Sequence, residues 1–227
     1  MGAQQNAAIV TPSYAGDFER CRLLCESMDR YVTGYTRHYL LVASHDVERF
    51  RALETDRRVV VFLKPFDCGD FWRDGQMRLY RKSGGMHSLM DMGHRDWLAN
   101  AGRALDLPAG QTSDHDYITT LIAWRRETVL DMLRRIETVH GRPWINVVAS
   151  DRRFSECILY GRYVDEVLNG EGHFHDDRAL CHIYWLGPEL DETGIERFIA
   201  GMEPYQVAIG IQSFTETSLE PLRRVIG

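Results

Sequence analysis

The chain lacks a G-x-G-x-x-G or Walker-type glycine loop, a C-x-x-C pair, a clustered run of basic residues and a long apolar run. Each absence excludes something. No segment approaches the roughly 20 apolar residues of a membrane-spanning helix. The opening Met1-Gly2-Ala3-Gln4-Gln5-Asn6 has neither the basic nor the apolar region of a signal peptide. The basic residues are scattered and the net charge is −6, which argues against a surface for non-specific nucleic-acid binding. One or two arginines would still suffice for the phosphates of a small ligand. The cysteines Cys21, Cys25, Cys68, Cys157 and Cys181 are odd in number, the pattern of a reduced, cytoplasmic chain. Cys21 and Cys25 stand four apart beside Leu24 and Met28, and are expected to pack as small hydrophobes rather than hold a metal.

What is present is a globular α/β pattern. At 227 residues, 44% of them apolar, the chain can bury a sizeable core as one large domain. Ala7-Ala8-Ile9-Val10 reads as a buried strand. A loop follows, then a helix carrying Phe18, Cys21, Leu24, Cys25 and Met28 on one face, with Asp17 as N-cap. Tyr39 to Ala43 and Val59 to Leu63 read as further strands, with a short helix from Val47 to Leu53 between them. This β-α-β-α-β order predicts a mostly parallel sheet flanked by helices.

The middle is irregular. Gln76 to Arg81 alternates as an edge strand would, Trp97 to Leu105 reads as a helix, and Tyr117 to Trp124 as a strand. A strong helix spans Val129, Met132, Leu133, Ile136 and Val139, stopped by Gly141 and Pro143. Gly170 to Asp177 reads as a polar loop with solvated His173 and His175. Ala179 to Trp185 and Val207 to Ser213 are expected strands, Asp191 to Met202 and Leu219 to Ile226 expected helices. Asp114-His115-Asp116 and the pair His173 and His175 have metal-ligand chemistry, but a metal hydrolase would need two distant loops to converge.

The stretch from Asp151 to Gly161 gathers the most chemistry. Phe154, Ile158 and Leu159 define one helix face, while Glu156 and Tyr160, four apart, share another.

Taken together, Ala8 to Asp17, Leu24 to Met28, Tyr117 with Trp124-Arg125-Arg126, Phe154-Ser155-Glu156 with Leu159-Tyr160-Gly161, Cys181 to Trp185 and Ile211-Gln212-Ser213 resemble, in the same order, a bacterial family of unknown function. That family is placed with the GT-A-type nucleotide-diphospho-sugar transferases. The resemblance implies a GT-A-like, Rossmann-like fold: residues 1–66 would form the nucleotide-binding half, and 67–227 the acceptor half and closing elements of a single domain. It implies Thr11, Pro12, Ser13, Tyr14 and Asp17 at the nucleotide, and Trp124, Arg125, Ser155, Trp185, Gln212 and Ser213 among the substrate-binding residues. Glu156 would take the proton of an attacking hydroxyl, with Tyr160 near the sugar and His182 as the late histidine. The implied partners are a nucleotide-sugar and a glycan or surface-polysaccharide acceptor, and the implied cofactor is Mn²⁺ or Mg²⁺.

One departure matters. The Asp-x-Asp pair that holds the metal in such enzymes falls here on Arg57 and Val59, leaving Asp67 or Asp70 as substitutes. Two functions are therefore expected: a glycosyltransferase, or a degenerate domain of the same fold that binds nucleotide or glycan without transfer.

Overall fold

The computed structural model describes residues 8–42, 46–57, 66–67, 71–88, 94–108, 113–151 and 153–226. In chain order these form β1 (Ala8–Pro12), α1 (Phe18–Tyr31), β2 (Val32–Thr33), β3 (Arg37–Leu41), α2 (Val47–Phe50), β4 (Phe66–Asp67), β5 (Trp72–Arg73) and β6 (Gln76–Tyr80). Then come α3 (His94–Ala104), α4 (Arg126–His140), α5 (Trp144–Val148), α6 (Glu156–Arg162), β7 (His173–Asp176), β8 (Cys181–Tyr184), α7 (Glu192–Ala200), β9 (Ala208–Ile211) and α8 (Leu219–Ile226). They fall into two compact units, Met1–Asp70 with Leu180–Gly227, and Phe71–Ala179. The second is thus inserted into the sequence of the first.

The first unit is built from βαβ steps. β1 runs through a 3-10 turn (Ala15–Asp17) into α1, and β3 then lies parallel to β1, with Thr11 opposite Leu40 and Pro12 opposite Leu41. The apolar spacing of α1 buries Cys21, Leu23, Cys25 and Met28. Cys21 and Cys25 pack with Phe50 and Leu53, so both thiols serve as core. β2 pairs with β4 in parallel. The second βαβ step is β8, α7 and β9, with Tyr184 opposite Ile211. Asp191 caps α7 by accepting a 2.7 Å bond from the Gly194 N–H. Leu23, Ile195, Ile209 and Leu222 form one cluster, which joins α1 to α7, β9 and α8.

The second unit is organised around α6. Cys157 through Arg162 are buried, and so are Tyr163 and Val164 beyond it. The helix widens there into a π segment, Tyr163–Val167. Ser155 caps it, its Oγ accepting from the Ile158 N–H at 3.4 Å. Ile158, Leu159 and Tyr160 join Leu98, Leu105, Ile136 and Tyr117 in the main cluster. A Cβ built at Gly161 would lie 2.7 Å from Tyr117 Cε1 and closer still to Cδ1 and Cγ, so glycine there makes room for the Tyr117 ring. α4 ends at Gly141, whose φ of +61° is the left-handed turn-off that glycine adopts freely.

The α/β class and the parallel pairing agree with the sequence: among the described strands only β5 and β6 pair antiparallel. The strands form small separate sheets, however. Three expectations need correction. Tyr117 to Trp124 is not a strand; ladder pairing stops at the single Lys82–Asp116 bridge before it. Of its apolar run, Tyr117 is core and Ile118 and Ile122 pack against that core through their side chains, with no paired backbone. Gln76–Tyr80 is central, between β5 and β7, not an edge. Residues 173–176 form strand β7 where a solvated loop was expected: they pair in parallel with β6, His173 is buried, and Asp176 meets the buried Arg78 at 3.3 Å, while His175 stays exposed. The expected strand at Val59 to Leu63 lies outside the described residues.

Candidate functional site

The residues expected to bind nucleotide lie at carboxyl ends of parallel strands in the first unit. Thr11 and Pro12 close β1, Ser13 and Tyr14 form the loop, and Asp17 stands just before α1. The buried Asp46 carboxylate accepts the Ala15 N–H at 2.9 Å and fixes the loop. Asp17 makes no side-chain cap; its carboxylate lies 3.8 Å from Arg20. Tyr14 is 57% exposed, its ring over Gly16. The Thr11 hydroxyl is buried and has no hydrogen-bond partner among the described residues. Trp185, Gln212 and Ser213 come together in the same way: the first follows β8 and the others follow β9, where the Gln212 N–H donates to the Tyr184 carbonyl at 3.2 Å. Open α/β sheets bind ligands at such ends. His182, on β8, stacks on Phe198 at 4.3 Å and 23°.

Trp124, Arg125, Ser155, Glu156 and Tyr160 belong to the second unit. Glu156 and Tyr160 do not share a surface there. Glu156 is the first residue of α6, so its side chain projects past the helix end, exposed and without a hydrogen bond or ion pair among the described residues. Tyr160, one turn later, lies under the core.

Two polar networks flank it, and neither is evident from the sequence. In one, the Arg125 N–H donates to the Tyr160 hydroxyl oxygen (2.9 Å), and that hydroxyl is 2.8 Å from His173 Nε2. His173 Nδ1 is 2.9 Å from the Glu171 carbonyl, which only accepts. His173 is therefore protonated on Nδ1 and takes the Tyr160 proton on Nε2. Burial holds the His173 pKa below the usual imidazole value and pushes the Tyr160 phenol up to about 12. Tyr160 thus anchors the backbone of Arg125 and the ring of His173. Trp124 stacks on its ring at 5.5 Å and 23° and is 39% exposed, so it is no core residue.

The second network centres on Asp165, in the π segment. It accepts from Tyr117 Oη (2.7 Å), His175 Nε2 (2.7 Å) and Arg81 (3.2 Å). Burial works to raise the Asp165 pKa, but the bonds from His175 and Tyr117 outweigh it and keep the carboxyl below the ordinary range. Burial pushes the Tyr117 phenol well up. A buried carboxylate that orients a partly exposed histidine is an arrangement able to pass a proton. Sequence reading missed it because residues 165 and 175 meet only through the π segment and β7.

Asp70 and the Asp67 side chain, the expected substitute ligands for the implied metal, lie outside the described residues. Arg57 lies over the Tyr35 ring at 5.5 Å, a cation where an acidic ligand is expected. The Asp114 carboxylate lies 2.9 Å from Nδ1 of its neighbour His115 without a hydrogen bond, and His173 and His175 are engaged as above. No group of three acidic, histidine or cysteine side chains converges among the described residues. Also among them, no helix is long and apolar enough to cross a membrane.

The chain belongs to a family of unknown function, DUF6492, whose model matches residues 55–226. That span includes Trp124, Glu156, His182 and Gln212 but not the loop from Thr11 to Asp17. No curated protein and no solved structure matches the chain.

Proposed function

We propose that the chain is a GT-A-like, glycosyltransferase-type protein that takes a nucleotide-sugar at the loop Thr11–Asp17 and passes the sugar to a glycan acceptor. The observation that supports this most is the β1–loop–α1 turn. It is the end of a parallel strand beside a helix start, fixed by Asp46, with the buried Thr11 hydroxyl lacking a partner among the described residues. In transfer, Glu156 accepts the proton of the attacking hydroxyl. That role requires an available carboxylate, and among the described residues Glu156 makes no hydrogen bond or ion pair.

One observation favours the second reading, binding without transfer: Arg57 occupies the place of an acidic metal ligand. In either reading the diphosphate charge falls to arginine and lysine side chains. A thermal-shift panel of UDP-, GDP- and CDP-sugars, with and without Mn²⁺, tests both. Stabilisation together with donor turnover that Glu156→Gln abolishes supports transfer. Metal-independent stabilisation without turnover supports the binding domain. Absence of any shift sinks both.

A further inference from the structure

An exposed tryptophan beside an arginine whose side chain makes no hydrogen bond among the described residues needs an explanation. Trp124 and Arg125 end the irregular segment that leads into α4. Trp124 covers the ring face of Tyr160, and Tyr160 cannot yield, because its hydroxyl is held by the Arg125 N–H and by His173. The indole is therefore backed on one side and open on the other. Its N–H makes no hydrogen bond among the described residues. The next residue, Arg125, has extended backbone and sends its side chain across Gly172. A Cβ at Gly172 would come within 2.6 Å of Arg125 Nη1, so the missing side chain leaves the guanidinium its place. Arg125 donates no side-chain hydrogen bond among the described residues. Its ion pair with Glu127 is long, 3.7 Å, and exposed, so it leaves the donors available.

We propose that Trp124 and Arg125 form a platform for an acidic glycan, one sugar ring lying on the indole and a uronate carboxylate held by the guanidinium. This deepens the transferase reading by naming the class of acceptor, and it rests on that reading only for the word acceptor. A pyranose has one apolar C–H face and a hydroxyl rim that stays in water, which suits a platform open on one side. A carboxylate suits the planar fork of arginine, which binds it through two parallel hydrogen bonds.

The test is calorimetric titration of the whole chain with oligogalacturonate and with the neutral galactose oligomer of equal length. The acidic oligomer binds more tightly. Trp124→Ala weakens it by about tenfold, the share of one stacked ring, and Trp124→Phe largely retains it. Arg125→Gln removes the preference for the acidic oligomer while leaving ring binding. Because Trp124 is exposed, Trp124→Ala folds, which its melting curve verifies. Unchanged affinity in Trp124→Ala, equal binding of the two oligomers, or no binding of the acidic one overturns the proposal. So does UDP binding that depends on Trp124, which would make the platform a nucleobase site. The nucleotide-sugar shift, measured on the same variants, belongs to the first unit's loop and reports on the transferase reading separately.

Discussion

Replacing Gly161 with alanine sets two local effects against each other. Gly161 sits inside α6 with helical backbone, so propensity alone predicts that alanine stabilises the helix by about 1 kcal/mol. Packing predicts the reverse. The new methyl would meet the Tyr117 ring at 2.7 Å or less, against the roughly 3.5 to 4 Å of a comfortable carbon contact, so the ring must retreat by about an ångström. Tyr117 is buried among the main cluster, and its hydroxyl donates to Asp165 at 2.7 Å. Overpacking of this kind costs about 1 to 3 kcal/mol. Leaving a buried hydroxyl and carboxylate without each other adds about 1 to 3. After the propensity gain, a net loss of about 1 to 5 kcal/mol remains, read as a lower urea midpoint with unchanged slope. In a Tyr117→Ala background the clash disappears, and Gly161→Ala becomes neutral or stabilising. A single Gly161→Ala variant as stable as the parent would refute the packing argument and leave propensity as the governing effect.

Tyr160→Phe strips the acceptor from the Arg125 N–H and the donor from His173, and lowers stability by about 1 to 3 kcal/mol in the same assay. Glu166→Gln leaves the buried Arg162 guanidinium without its carboxylate, which holds it through Nε and through Nη2 at 2.9 Å; the loss is about 3 kcal/mol. The double change Arg162→Met with Glu166→Leu recovers most of it. Stability also falls on the acid side. His173 has a folded pKa below its unfolded value near 6.5, so its contribution is complete above that pH and is lost as pH falls through the folded value. Asp165 acts with the same sign at lower pH, its contribution lost as pH falls from the ordinary carboxylate range. Urea midpoints from pH 7 to 4 show both, and His173→Gln flattens the first decline. A midpoint that does not move between pH 7 and 5 contradicts the neutral, buried His173.

How much of this was legible follows from what periodicity can see. α1, α4 and α7 announce themselves because their apolar residues repeat on one face, and β8 and β9 because largely covered parallel strands read as short apolar runs; β1 gave the same signal and is a strand, but not a buried one, with Val10 51% exposed. The strand expected at Tyr117 to Trp124 failed since the same apolar run can be buried through side chains alone. β7 was missed for the opposite reason: His173, His175 and Asp176 look solvated until Tyr160, Asp165 and Arg78 supply their partners from far along the chain. In the site, the spacing of Glu156 and Tyr160 was read correctly, and the conclusion of a shared face was not. Spacing does not tell that the helix begins at Glu156, so that one residue meets water and the other the core. Trp124 and Arg125 were picked out by resemblance, but their geometry depends on a tyrosine hydroxyl and on a glycine at 172.

The insertion of the second unit into the first has a consequence for synthesis. A ribosome emits Phe71–Ala179 whole, with its own main cluster, before Leu180–Gly227 exists. At about 5 to 20 residues per second, the remaining stretch takes roughly 2 to 10 seconds to appear. Through that interval Leu23 has no Ile195, Ile209 or Leu222 to bury it, and α1 carries a bare apolar stripe. The nascent chain is then a finished inner unit flanked by an unfinished outer one.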